Sequence, residues 1–141
     1  MMRAFFFAML VVVGLTGCDS VRDISRDPRY ATLVGREVKT KVPMWLYDRS
    51  FNTAPRSRYE LTEKDSGDHR KTEKFPVGHK VRFNQVRRVR NGTSVNEHLM
   101  GVTFSRGQAY NIQYDAYAHL GEKAWLTLFD YFDAERPPEK T

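Results

Sequence analysis

The sequence predicts a mainly β domain, a small antiparallel barrel or curled sheet of five or six strands with one short N-terminal helix. Three observations carry this. Apolar residues alternate at period two over Val81/Phe83 and again over Tyr110/Ile112/Tyr114, with polar residues between them. Asn91-Gly92 lies between two such runs, the strongest short hairpin signal, because a type I′ turn needs positive φ at both central residues. The chain has 141 residues, which allows one compact domain, and its 13% aromatic content supplies bulky residues for a core that needs no disulfide.

The N-terminus is read apart from the domain. Met1-Met2-Arg3 precedes an apolar run from Ala4 to Leu15, which is too short to span a bilayer because that takes roughly 20 apolar residues. A basic residue, a short apolar run and small residues after it make a secretory signal peptide. Leu15-Thr16-Gly17-Cys18, at the end of that run, resembles the lipobox of bacterial lipoproteins. The resemblance implies cleavage before Cys18, the lone cysteine, with acyl chains on its sulfur and its new amino group. Two or more chains anchor stably where one is marginal. Asp19 resembles the retention signal of inner-membrane lipoproteins, so the expected location is the periplasmic side of a bacterial membrane, inner rather than outer. The expected organisation is 1–17 signal peptide, 18–26 lipidated tether, 27–133 β domain and 134–141 flexible tail.

Within the domain, Asp27-Pro28 is an N-cap followed by proline at the first helical position, and Gly35 marks a helix end, with Tyr30, Leu33 and Val34 facing the core. Val38 and Val42 alternate with Lys39 and Lys41 up to Pro43, after which Met44-Trp45-Leu46-Tyr47 forms a second extended piece. Phe51–Arg58 is a loop, Tyr59–Leu61 a short strand, and the charged stretch Thr62–Lys74 the longest loop. Pro76-Val77-Gly78 is a turn leading into the clearest strand, in which Val86 falls out of phase with Val81 and Phe83 and so predicts a bulge near Asn84-Gln85. Leu99, Met100, Val102 and Phe104 belong to the returning strand, and Ser105-Arg106-Gly107 turns into the next. Lys123–Phe132 fits a helix through Trp125, Leu128, Phe129 and Phe132 or a strand buried on both sides; the β-rich context favours the strand. Phe75–Phe83, a glycine turn into an alternating strand, resembles the middle of SH3-like barrels.

The residues suggest no enzyme. Neither a Gly-x-Ser-x-Gly elbow nor a phosphate-cradling glycine loop is present, and lipidation would consume the only thiol. His69, His79, His98 and His119 occur singly, without spacing that places two on one metal, and nothing forces Asp115, Asp130 and Asp133 together. No metal or other cofactor is expected. Asn91-Gly92-Thr93 matches a glycosylation sequon, which its turn role explains.

Charge is the strongest functional signal. The net charge is +6, and Lys80, Arg82, Arg87, Arg88 and Arg90 fall within eleven residues. They read as one basic face suited to carboxylates or phosphates, although a solvated sheet face that discourages edge pairing has the same pattern. Outside the cytoplasm nucleic acid is not the expected polyanion; phospholipid head groups and acidic proteins are. In size and tether, and with Arg29–Gly35 as an opening helix, the chain resembles small immunity lipoproteins that protect Gram-negative bacteria against toxins delivered by type VI secretion. That resemblance implies a protein partner such as a secreted lipase, met by Lys80, Arg82, Arg87, Arg88, Arg90, Trp45 and Tyr47. A structural envelope lipoprotein holding a peptide or glycan strand is the alternative, and a hydrolase inhibitor a third reading.

Overall fold

The computed structural model describes residues 20–51, 56–67, 70–116 and 124–139. Within them the chain is mainly β: β1 (Ser20–Asp23), β2 (Glu37–Lys39), β3 (Met44–Asp48), β4 (Tyr59–Thr62), β5 (Lys71–Phe75), β6 (Lys80–Asn91), β7 (Ser94–Ser105) and β8 (Gln108–Ala116). They form one sheet in the order β1-β6-β7-β8-β4-β3-β5, with β2 also on β6. All pairings are antiparallel except β4 with β8. The sheet holds more strands than the expected five or six and is not closed into a barrel. It is nevertheless curled. Ser105 at the end of β7 donates to Glu73 of β5 at 2.5 Å, although β8, β4 and β3 lie between those strands in the sheet.

The inner face of the curl carries Leu46, Leu61, Phe75, Val81, Phe83, Val86, Leu99, Ile112 and Tyr114, all at most 1% exposed. Tyr30 and Leu33 close it from one side and Leu128, Phe129 and Phe132 from another. Phe132 lies edge-on to both Phe83 and Tyr114, with centroids 5.1 and 5.0 Å apart, the geometry that aromatic quadrupoles favour.

Several elements differ from those the sequence predicts. Ser20–Asp23, placed in the tether, pairs with Arg87–Arg90 as an edge strand. Lys71–Lys74, placed in the long loop, belong with Phe75 to β5; only Phe75 of its residues is buried, and pairing with β3 supplies the order its composition does not advertise. The opening helix is a single 3-10 turn, Pro28–Tyr30, capped by Asp27 as expected. Lys123 lies outside the described residues; Ala124–Thr127 is 3-10 and Leu128–Tyr131 α-helical, not a strand. A helix lets Leu128, Phe129 and Phe132 meet the core together, while Phe132 bridges Thr40. Glu135, expected in the frayed tail, accepts a hydrogen bond from the Thr32 hydroxyl at 2.5 Å.

The bulge is where the sequence put it, whereas the strand expected up to Pro43 ends at Lys39 and β3 starts at Met44. Phe83 pairs with Gly101 and Gln85 with Met100, leaving Asn84 as the extra residue. The first hairpin is one residue out of register with expectation. Asn91 and Ser94 close it, so its loop is Gly92-Thr93, with positive φ only at Gly92, the pattern of a type II′ turn. The type I′ pattern instead falls at Arg106-Gly107, where φ is 50° and 75°.

Candidate partner-binding surface

The bulge decides where the basic residues go. Side chains alternate across a strand, and Asn84 inserts one residue. Lys80, Arg82 and Arg87 therefore lie on the outer face, with their cross-strand neighbours Val102 and His98. Arg88 and Arg90 lie on the inner face, in phase with Val86. The expected single basic face is thus divided in two. Arg88 donates to Glu97 at 3.1 Å, and Arg29 donates to the same carboxylate at 3.0 Å. The Tyr30 hydroxyl donates to the other Glu97 oxygen. Glu97 is only 5% exposed, so these donors offset the cost of burying its charge. Burial and the acceptor Glu97 together push the Tyr30 hydroxyl well above its ordinary pKa.

Trp45 and Tyr47 share the outer face but lie on β3, separated from β6 by β7, β8 and β4. Tyr47 is fully buried beneath the Arg49 guanidinium, and its hydroxyl accepts from Ser66 N and donates to Asp65. Trp45 is half-buried with the Lys74 ammonium 5.3 Å from its ring. Neither joins the arginines. Cys18 and Asp19, proposed for lipid attachment and sorting, lie outside the described residues, as do His69 and His119.

What the structure gathers is at the other end of β6. Val77 and Phe104 are 60% and 65% exposed, and they meet in a groove of about 400 Å³ lined also by Glu37, Pro76, His79 and Lys80. Phe104 continues the outer-face stripe of Met100 and Val102, which is buried at Met100 and opens toward the groove. Arg82 pairs with Val102, so it flanks the stripe. Ring stacking and hydrogen bonds hold the groove floor together. The His79 ring stacks on Phe75 at 3.8 Å and meets the Thr103 hydroxyl at 2.7 Å, while that hydroxyl donates to the Lys80 carbonyl at 2.8 Å. Thr103 is therefore the acceptor for His79, whose Nε2 carries the proton, and burial holds the His79 pKa below its ordinary value. The sequence marks Val77 only as part of a turn and Phe104 only as part of the returning strand, and neither as a binding residue. The available signal was phase: Leu99, Gly101 and Thr103 face inward, so Phe104 faces out.

One polar cluster elsewhere was also not foreseen. His98, 3% exposed, holds Asp115 through Nδ1 at 2.5 Å, and Gln113 donates to the same Asp115 oxygen at 2.8 Å. Burial raises the Asp115 pKa, but the hydrogen bond and charge of His98 more than offset it, and the carboxyl ends below its usual range. Among the described residues, His98 Nε2 is buried without a hydrogen-bond partner. Among the described residues no group of three His, Cys, Asp or Glu is placed to hold a metal, and no helix is long and apolar enough to cross a membrane. The chain matches none of the family models, curated proteins or solved structures with which it was compared.

Proposed function

We propose that the protein is a membrane-anchored, extracytoplasmic protein-binding module, most concretely an immunity protein that binds and neutralises a secreted antibacterial effector such as a lipase. In this reading Cys18 carries the anchor, and the curled sheet serves as an SH3-like scaffold. The observation that favours binding at a defined place is the exposed Val77/Phe104 pair around the groove, with Lys80 and Arg82 beside it. Two large apolar side chains, with Arg82 beside them and Lys80 paired to Glu37 at 3.6 Å on the rim, suit an apolar segment with acidic neighbours on a partner protein. Holding the module at the bilayer raises its concentration where a lipase must act.

The test is extraction of the full-length protein from its own cells in mild detergent, with mass spectrometry of what is retained. A single near-stoichiometric secreted hydrolase, lost on Phe104→Asp and kept on Trp45→Ala, supports the proposal. Recovery of envelope-assembly components instead would replace it with the structural-lipoprotein reading.

A further inference from the structure

The reach of the chain between Cys18 and β1 constrains how the domain stands on a membrane. Ser20 already pairs with Arg90, and β1 runs from there back toward Arg87, so β1 begins at the end of the sheet that carries the β6–β7 hairpin at Asn91–Ser94. Cys18 is two residues before Ser20, a span of at most about 7 Å. That is about the thickness of the lipid head-group layer, roughly 5–7 Å on each side of the roughly 30 Å hydrocarbon core. A domain tied there by acyl chains cannot stand off the bilayer.

The same end of the sheet is built for anions. Arg22 pairs directly with Arg88, and Arg90 follows on the same face of β6. Like charges opposite each other on adjacent strands oppose folding. Glu97 answers Arg88 but is shared with Arg29, and Arg22 and Arg90 are exposed. Val21, 50% exposed, pairs with Val89 and adds an apolar side chain on the opposite face of the same edge. We infer that this end of the sheet, from Arg22 and Arg90 to the Gly92-Thr93 loop, lies against anionic phospholipid head groups of the anchoring bilayer. The inference rests on the reading of Cys18 as the lipid anchor. It gives Arg90 and Arg22 a lipid role separate from protein recognition, and it points the Val77/Phe104 groove away from the membrane, about 33 Å along β7.

The test uses the full-length lipidated protein reconstituted in phosphatidylcholine vesicles with and without phosphatidylglycerol, after mass spectrometry of Cys18. A fluorophore is attached through Thr93→Cys at the near end or Ala109→Cys at the far end, both exposed positions, and a quencher is carried on lipid head groups. Strong quenching at position 93 and little at 109 is expected. Phosphatidylglycerol should deepen the former, and that increment should vanish in an Arg22→Gln/Arg90→Gln variant. Acylated Cys18 with equal quenching at both positions, or with no effect of phosphatidylglycerol, would overturn the orientation while leaving the anchor intact. Absence of acyl chains on Cys18 would overturn the anchor and the orientation with it.

Discussion

Gly101 is the residue on which the bulge depends, and Gly101→Ala tests that dependence. A Cβ at this position would lie 2.2 Å from the Arg82 carbonyl oxygen and 2.9 Å from both the Arg82 carbonyl carbon and the Phe83 Cα. All three are backbone atoms, so no rotamer change relieves the overlap. Ordinary contact is about 3.5 Å or more, and β6 must therefore retreat from β7 by about 1 Å beside the bulge. Overpacking of this kind costs about 1–3 kcal/mol. Loosening one of the adjacent ladder hydrogen bonds adds about 1 kcal/mol. A loss near 3 kcal/mol corresponds to a melting temperature lower by about 10 °C for a domain of this size. Thermal unfolding followed by circular dichroism reads it. Gly67→Ala is the control, since no atom lies within 4 Å of its added Cβ and only its φ of +67° is at stake. Melting of Gly101→Ala within a degree or two of the parent, or no lower than the control, would refute the close approach.

Three further outcomes follow from the same geometry. Glu97→Ala leaves Arg29, Arg88 and the Tyr30 hydroxyl without their shared acceptor, and urea unfolding should show a loss of about 3–5 kcal/mol; a loss under about 1 kcal/mol would mean that water serves these donors equally well. Arg106→Asn places a residue that tolerates the left-handed region at a position with φ of 50°, and it should raise stability by about 1 kcal/mol or less in the same assay. The hydrogen bond from Arg29 outweighs burial at Asp27, those from Arg58 and from the Gly67 amide lower Asp48 and Asp65, and Asp115 is also lowered; their folded pKa values lie below the unfolded ones. The stability they contribute is complete above the unfolded carboxylate range and is lost as pH falls below about 4. Asp27→Asn should flatten that acid limb of a melting-temperature profile, and an unchanged limb would show that Asp27 is not linked to folding.

The parts of this fold that were legible in the sequence are those where one face is apolar and the other polar. Tyr110, Ile112 and Tyr114 alternate with Asn111 and Gln113, and the apolar set faces the core, while Gln113 is buried on the other face beside His98 and Asp115. Val86 breaking phase with Phe83 was enough to locate the bulge. In β7 both faces carry apolar residues, so alternation groups Met100, Val102 and Phe104 on one face and Leu99 on the other without saying which of the two faces the core. β1 and β5 were illegible for another reason. Their order comes from edge pairing with β6 and β3, and an edge strand exposed on both faces leaves no hydrophobic pattern. The basic cluster was visible, but its division was not, because moving one residue across a bulge reverses every side chain beyond it. The Glu97 and His98 clusters join residues from distant segments, so neither had a local signature.

Phe104 and Phe132 together separate recognition from stability. Phe132 is fully buried against Phe83 and Tyr114, and truncating it to alanine should cost about 3–5 kcal/mol because both transfer and cavity terms apply. Phe104 is 65% exposed at the end of its strand, so folding gains little from it. Phe104→Asp should therefore shift unfolding by no more than about 0.5 kcal/mol. A residue held only by the fold would have no other phenotype. If the groove is the recognition surface, that same substitution should abolish retention of the partner by placing a carboxylate where an apolar anchor would be desolvated. Unchanged stability with unchanged retention would exclude the groove. A large loss of stability would mean instead that Phe104 belongs to the core, and loss of the partner would then carry no information about recognition.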